Sequence, residues 1–595
     1  MLNRKQIECD LCVVGGGMAG IGAAISAARE GLHVVLMHER PVLGGNASSE
    51  IRMWICGAKG EDNRETGILE EIALENLYRN PTKSYAIWDT VLYDFVRREK
   101  NITLLLNCTC MDAETEKGKF LYNRDTKIKS VIGYQMTTQC FYEVKARFFC
   151  DSSGDSILAP LCDAEFKMGR EAKTEFGEDT EVSIADNMTM GMSCLLQGRE
   201  TMSDIKYTAP VWSTRLTKKD FENREPDLYD ETENFWYLEL GGTNKNIIDD
   251  TEIIRDELLE LATGTWDYIK NSGNYKSDKW DLDFIGFLPG KRESRRMCGE
   301  YMITQRDIND NVTFEDEIAF GGWPIDDHFP GGFYHKGVPN TDIQTPAPYS
   351  IPYRVLYSKN VENLFFAGRN ISMTHMAMSS IRVMATCTLL GEAVGKAAAI
   401  AVRNSFTPHE VYLKELPLLQ DMLMNEDCFL PSKTRKISSI CKNASLNIKN
   451  DVIRNGQDRA HTIYHTTDEN SSYLAMNNEE IAYSFDKTAV SFVHIVFSSD
   501  LNRDTLPGGE CERKHSTRAN HLLTSPQMHM PKTLCKAFKL VGMEDDVEFE
   551  ILNVNNNRKR AYHIPVNKEL DKLVLILKDS WGDDERIPLI SFDFQ

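Results

Sequence analysis

Three glycines at positions 15, 17 and 20, inside the run VVGGGMAGIGAA (13–24), have the types and spacing to seat a pyrophosphate. In a G-x-G-x-x-G turn the first glycine, Gly15, permits the sharp bend, and the second, Gly17, lets the backbone approach the phosphates. The third, Gly20, lets the following helix lie close on its strand. Met18 and Ala19 open that helix, whose free N–H groups and dipole favour negative charge. Glu39 follows nineteen residues after Gly20, at the end of the apolar run LHVVLMHER, where a carboxylate accepts hydrogen bonds from a ribose diol. That carboxylate would repel a 2′-phosphate, which argues against NADP.

A second set of reactive side chains lies far downstream. His375 and Arg382 flank MAMSSI, and the basic run KRESRR (291–296) carries Arg292, Arg295 and Arg296. Histidine can give or take a proton near neutral pH, and arginine can clamp an oxyanion or carboxylate. His375 is expected to reach the catalytic face, the alternative being a histidine merely hydrogen-bonded in a loop. In the stretch RRMCGEYMIT, strand alternation would put Arg295 and Arg296 on opposite faces, one toward a cavity and the other paired with Glu293. A surface ion-pair cluster is the alternative there. Cys387 falls in the first turn of a helix, where a thiol pKa drops, although packing is its expected role. The pair Cys9 and Cys12 lacks a second ligand pair, so it reads as two small residues of a buried strand, and no metal site is expected.

The elements that must position these groups are legible as strand, turn and helix. CDLCVVGGG is an apolar strand ending in glycine, and MAGIGAAISAAREG has the small residues of a helix packed tightly on a sheet. PVLGGNASSEIRMW adds a second glycine pair, Gly44 and Gly45, directly after the Glu39 strand, followed by Asn46 and Arg52. Nicotinamide enzymes usually place a plain helix there, whereas in flavoproteins with two dinucleotide-binding motifs this stretch runs beneath the flavin. Much later, NVENLFFAGRNIS is a strand ending at Gly368 and Arg369, and SSIRVMATCTLLGEAVGKAAAIAV is a long small-residue helix. That distant strand–glycine–helix unit points to FAD.

With these segments, FFCDSSGDSILA and FLPGKRESRRMCGEYMIT, the chain resembles the FAD-dependent oxidoreductases that share a glutathione-reductase-type FAD domain, from about residue 8 to 403. The resemblance implies non-covalent FAD surrounded by Gly15, Gly17, Gly20, Glu39, Arg40, Asp155 with its neighbour Gly154, Gly368, and the turn of Ile381, Arg382 and Val383. Gly45, Asn46 and Arg52 are expected beneath it. Many flavoproteins of this type carry an acid after the late glycine. Here Arg369 and Asn370 stand there, so cationic contacts to the ribityl and phosphate groups are expected. A helix starting near Ser380 would aim its N-terminus at the flavin pyrimidine, an effect of about 0.3–2 kcal/mol.

The chain has 595 residues, 42% apolar and 26% charged, with net charge −21, the profile of a folded protein of several domains. Such acidity argues against nucleic acid or an anionic membrane as partner. Residues 11–28 lack charge, but Glu8 and Asp10 interrupt the approach and five glycines make a poor apolar helix, so a signal peptide is not expected. The fifteen scattered cysteines favour a reducing compartment, and the cytoplasm is the expected location. Between residues 164 and 357 the pattern loosens into polar and aromatic stretches. One helix, DTEIIRDELLELATGTWDYIK, reads as a surface element, and Gly/Pro-rich loops carry Trp323, His328, Tyr334 and His335 over the cavity. Past Pro431, runs such as IAYSFD, TAVSFVHIVFSS, VEFEILNV, RAYHIPV, KLVLILKDSW and IPLISFDF read as an antiparallel sandwich. Residues 445–595 resemble the galactose-binding-like jelly roll.

The expected fold is α/β: a Rossmann-like FAD-binding domain in two parts (1–163 and 358–430), an inserted α+β substrate domain (164–357) and a C-terminal antiparallel β-sandwich (431–595). The expected activity is FAD-dependent oxidation, by hydride transfer, of a secondary alcohol or C–N bond on a polar small molecule, a carbohydrate derivative being one candidate, with His375, Arg292 and Arg382 as catalytic groups. Reduction of an activated C=C bond, as in fumarate-reductase-like flavoproteins, is the alternative within enzymes. A carbohydrate-binding protein with a structural flavin domain is the alternative outside them. Expected partners are a small-molecule substrate, an electron acceptor of unspecified kind and, as a candidate, further copies of the chain.

Overall fold

The computed structural model describes residues 2–118, 125–179, 181–459, 471–509, 515–582 and 585–595. Its first strand, β1 (Asn3–Val14), runs from exposed to fully buried, because the polar start NRKQIE gives way to LCVV inside the sheet. The chain then turns through the glycines into α1 (Met18–Arg29) and returns as β2 (Val34–Met37). Two helices, α2 (Ile68–Arg79) and α3 (Tyr85–Arg98), lead to β3 (Ile102–Leu105). The meander β4 (Cys108–Lys117), β5 (Thr126–Gln135) and β6 (Cys140–Asp151) follows.

The sheet order is β3-β2-β1-β6-β5-β4, with the strand Leu364–Phe366 added beside the end of β6. That late strand, β6, β1, β2 and β3 are parallel, and β4 and β5 are antiparallel. Leu364, Phe365 and Phe366 pair with Phe149, Cys150 and Asp151, so Gly368 arrives at the same sheet edge as Gly15 and Gly154. This is the C-terminal edge of the parallel strands, where open α/β sheets bind ligands. Cys9 and Cys12 are both β1 residues, and burial pushes the Cys9 thiol up to about 12.

The long helix Met384–Asn404 packs on α1 at backbone distance: a Cβ on Gly391 would lie 2.0 Å from the Ala19 carbonyl oxygen. It is long and apolar enough to cross a membrane, but 94% of its apolar window is buried inside the protein. The helix does not start near Ser380 as expected. A short helix, His375–Ile381, comes first, and the chain breaks at Arg382 and Val383 before the long one begins.

Residues 192–333 have their own buried cluster, built on the helix Thr251–Asn271 and the short strands Leu196–Glu200 and Trp280–Ile285. The surface assignment of that helix needs correction. Ile254, Leu258, Leu261, Ala262 and Trp266 are all buried, so only its acidic face meets water.

Among the described residues the C-terminal unit is a seven-stranded antiparallel sheet. IAYSFD and TAVSFVHIVF, expected as two strands, are one strand, Glu479–Phe497, with register shifts between Ser484 and Thr488 and between Val490 and Phe492. Those shifts fold the sheet over one core. Tyr483, paired with Leu573, faces Phe592 and Phe594 at ring distances of 5.2 and 5.3 Å, and its hydroxyl donates to the Phe592 carbonyl. RAYHIPV and KLVLILKDS are likewise one strand, Ala561–Ser580. Leu74 and Leu77 of α2 enter the same core, so the unit is packed on the dinucleotide-binding part.

Candidate functional site

A cavity of about 630 Å³ opens at the C-terminal edge of the parallel sheet. Most residues expected around a dinucleotide line it: Gly15, Gly17, Met18, Ala19, Glu39, Arg40, Gly45, Asn46, Gly154, Asp155, Gly368, Arg369, Arg382 and Val383. Gly20, Arg52 and Ile381 do not. Gly20 lies beneath the turn, where a Cβ would sit 1.9 Å from the Gly15 carbonyl oxygen. Ile381 is fully buried. Arg52 donates to Gln197 Oε1 at 2.7 Å and lies over the Phe284 ring.

The glycine turn fits a pyrophosphate on its own geometry. Gly15 has φ +108°, and a Cβ there would strike the Ser152 carbonyl at 2.3 Å. Gly17 differs: a Cβ there would meet only the Cα of Gly45, at 3.8 Å. Nothing in the protein demands glycine at 17, and the space above it belongs to the cavity. A buttress the sequence reading overlooked completes the turn. His38 Nδ1 accepts from the Gly16 N–H at 3.0 Å, and its Nε2 lies 3.0 Å from the Val42 carbonyl oxygen.

Farther along the cavity, Asp155 receives Arg369 at 2.7 Å, Lys291 at 2.8 Å and the Ser294 hydroxyl at 2.8 Å. Burial opposes its ionisation, but Arg369 and Lys291 hold the carboxyl below its usual range. The expected cationic contact therefore starts from an ion pair inside the protein. Arg369 Nε and Arg382 Nε are buried without a hydrogen-bond partner, and both residues line the cavity. A diphosphate and an electron-rich ring are acceptors of the kind these donors lack. Cys387 lines the same region, and burial pushes its thiol up to about 12, the reverse of the lowering expected from its helix position.

His375 is not at the cavity. It is buried behind it, with Nδ1 3.0 Å from Glu293 and Nε2 3.1 Å from Asp327. Burial disfavours its charge, yet the two carboxylates raise its pKa well above the usual value. With both nitrogens occupied it cannot meet a substrate, so the expectation that it reaches the catalytic face is corrected. Arg296 is also fully buried, bonded to Glu171, Glu293 and two backbone carbonyls, and Arg295 does not line the cavity.

Two histidines line the cavity, His38 beside the glycine turn and His328 on the inserted side. His328 Nδ1 is 2.8 Å from Glu239, and its Nε2 has a longer approach of 3.4 Å to Asp326. Arg292 is 3.3 Å from Glu239 and donates to the Ser193 hydroxyl and the Trp236 carbonyl. Arg382 donates to the Asp326 backbone and carboxylate. Ionisable side chains therefore follow one another in the order Arg292, Glu239, His328, Asp326, Arg382, with Glu239 buried behind the wall that the other four form. Burial works against the acids, but Arg292 and His328 hold Glu239 down to about 2, and His328 and Arg382 hold Asp326 well below the usual range. Trp236 and Trp323 flank this wall, whereas Tyr334 is exposed and, like His335, does not line the cavity. Glu239 and Trp236 escaped the sequence reading because ENFWYLELGG shows no spacing that ties it to WPIDDHFPGG.

The parallel sheet with ligand space at its edge, the phosphate-type glycine turn and the late strand–helix unit together define a dinucleotide-binding oxidoreductase fold. The chain matches the model of the FAD dependent oxidoreductase family over residues 10–423 and belongs to that family. Its cofactor is FAD. Among solved structures, it is similar to a geranylgeranyl bacteriochlorophyll reductase-like protein of Thermoplasma acidophilum, at 13% identity over 71% of this chain and 86% of that one, TM-score 0.30. It is also similar to FrdA of E. coli quinol fumarate reductase, at 11% identity over 71% and 75%, TM-score 0.26. The family 32 carbohydrate-binding module of Streptococcus pneumoniae EndoD shares 10% identity over 27% of this chain and 99% of the module, TM-score 0.18. No curated protein matches the chain.

Proposed function

We propose that this flavoprotein oxidises a secondary alcohol on a neutral, polyol-like small molecule. The observation that carries the reading is the charge balance of the cavity wall: Arg292 and Arg382, which alone would suit an anion, are each paired with a carboxylate. A dicarboxylate such as fumarate would meet Asp326, and Glu239 close behind Arg292, as well as the arginines, at a repulsive cost. A polyol instead finds donors and acceptors side by side, with Trp236 and Trp323 to cover its C–H faces.

Bound FAD supplies the two-electron acceptor for the hydride that leaves the substrate carbon. His328 is the group we assign to the hydroxyl proton. Glu239 fixes the ring through Nδ1, leaving Nε2, with only its long approach to Asp326, to exchange the proton. Arg382, a cation on the lining together with His328, steadies the developing alkoxide. Cytoplasmic residence accords with Cys12, Cys108, Cys110 and Cys150 lying buried as thiols in one sheet.

The test is anaerobic mixing of the FAD-loaded protein with sorbitol, galactose, glucose, lactate, a primary amine and, after reduction, fumarate, following the flavin absorbance. The polyol and sugars are expected to bleach it, and His328→Ala to slow bleaching about 10²–10⁴-fold. Bleaching only by lactate or the amine, or fast reoxidation by fumarate, would overturn the reading.

A further inference from the structure

Between the strands Glu479–Phe497 and Cys535–Glu544, residues 515–530 leave the C-terminal sheet and run across the rest of the molecule. On the dinucleotide-binding side, Asn76 donates to the Ser516 carbonyl at 2.8 Å. The Arg518 N–H donates to the Lys83 carbonyl at 3.2 Å, and the Met528 N–H to the Pro81 carbonyl at 2.7 Å. On the inserted side the segment becomes an added neighbour of the strand Leu196–Glu200. The His521 N–H donates to the Gly198 carbonyl, and the Glu200 N–H to the His521 carbonyl.

Asn520 is the pivot. It is fully buried, its Oδ1 accepts from the Gly198 N–H at 2.9 Å, and its Nδ2 donates to the carbonyls of Asp227 and Asp230, both at 3.1 Å. Ser193 and Leu195, just before the strand, and Trp236, just after the 227–230 loop, form one cavity wall. On another part of the lining His515 stacks on Trp54, with ring centroids 4.6 Å apart and planes 22° off parallel.

We propose that this strap sets the geometry of the substrate end of the cavity. Asn520 is a positioning residue for the wall of Ser193, Leu195 and Trp236, and His515 is a positioning residue for Trp54. The C-terminal unit is then part of the active site rather than an appended module. The walls belong to separate loops with a long sequence between them, and loosening such a wall removes contacts that hold the bound substrate, which appears as a higher KM. The strap rests on the polyol reading only for the name of what binds between the walls.

The experiment uses the full-length, FAD-loaded chain with Asn520→Ala, His515→Ala and His515→Phe. Hydrogen exchange of peptides covering 51–56 and 193–200 is measured with kcat and KM for the fastest-reacting sugar of the panel above. Asn520→Ala is expected to speed exchange in 193–200 about tenfold, and His515→Ala in 51–56, the size of a lost hydrogen bond or ring contact. FAD content should equal the parent's, KM should rise about tenfold while kcat stays within about twofold, and His515→Phe should restore both readouts by keeping the stack. Unchanged exchange and KM in both alanine variants would overturn the strap, as would a His515→Phe that behaves like His515→Ala. If no sugar reacts, the polyol reading falls and the exchange data alone decide the strap. If Asn520→Ala fails to fold, the His515 pair decides it.

Discussion

Gly17 and Gly20 are glycines for different reasons, and the difference can be measured. Gly20 has no room for a Cβ, which would lie 1.9 Å from the Gly15 carbonyl oxygen, whereas Gly17 has protein contact only at 3.8 Å. Gly20→Ala is therefore expected to destabilise even the FAD-free protein by about 1–3 kcal/mol. Gly17→Ala should leave FAD-free unfolding within about 0.5 kcal/mol of the parent and weaken FAD binding instead. Urea unfolding of the apoprotein and titration with FAD separate the two, and equal destabilisation would show that the space over Gly17 is not reserved for the cofactor. His375 supplies a pH test. Its folded pKa is raised above the ordinary 6.5 by Glu293 and Asp327 acting against burial. Its contribution to stability is thus complete below about pH 6.5 and is lost as pH rises through the folded value. The stability gap between the parent and His375→Gln should shrink above that pH, and a gap constant with pH would mean a neutral imidazole. At this scale the glycines of the turn, Gly15 and Gly17, and Glu39 were readable as cavity residues because one local turn and one short spacing carry them. His375 and His328 were not separable, because which histidine reaches the cavity depends on Glu293, Asp327 and Glu239, contacts 82, 48 and 89 residues away in the chain.

Elements with one repeating environment were legible and those that change environment were not. CDLCVV and LHVVLM end in four apolar residues buried on both faces, 11–14 and 34–37, and strands appear there, the first reaching back to Asn3. Glu479–Phe497 moves through a register shift near Asp486 and Lys487, where charge interrupts the apolar alternation, so one bent strand reads as two. The bend is what lets Tyr483 face Phe592 across the core, a consequence visible only when the partner strands are known. The helix Thr251–Asn271 misleads in the opposite way. Its acids, Glu252, Asp256 and Glu257 among them, are conspicuous in the sequence, but Ile254, Leu258, Leu261 and Trp266 hold the inserted core together. A charged helix face reports what meets water and is silent about what the other face covers. The break at Arg382 and Val383 belongs here too. SSIRVMATC keeps helical composition throughout, yet the chain leaves the helix there, which puts Arg382 on the cavity wall.

For the whole molecule, the least readable feature is how the C-terminal unit is held, because its anchors pair residues hundreds of positions apart. The strongest is buried: Arg503 meets both oxygens of Glu70 in α2, at 2.8 and 2.6 Å, with each side chain 1% exposed. Ser499 adds a hydroxyl to the same carboxylate at 2.7 Å, and Arg64 approaches it at 3.2 Å. Burial opposes a charged Glu70, but Arg503 and Arg64 hold its carboxyl below the usual range. Two charges taken out of water gain little net stability while paired, and the survivor is costly once its partner is gone. Arg503→Met is therefore expected to lose about 3–5 kcal/mol, whereas the double variant Arg503→Met with Glu70→Gln should recover part of it, since no unpaired carboxylate remains although Arg64 loses its ion pair with Glu70. Chemical denaturation with probes in both units, such as the flavin absorbance and the far-UV signal, reads the two variants. If the pair links the units, Arg503→Met should also split one unfolding transition into two. A double variant as unstable as the sum of its single changes would instead show that Glu70 owes its ionisation to Arg64 and that the C-terminal unit is held by its apolar contact with Leu74 and Leu77.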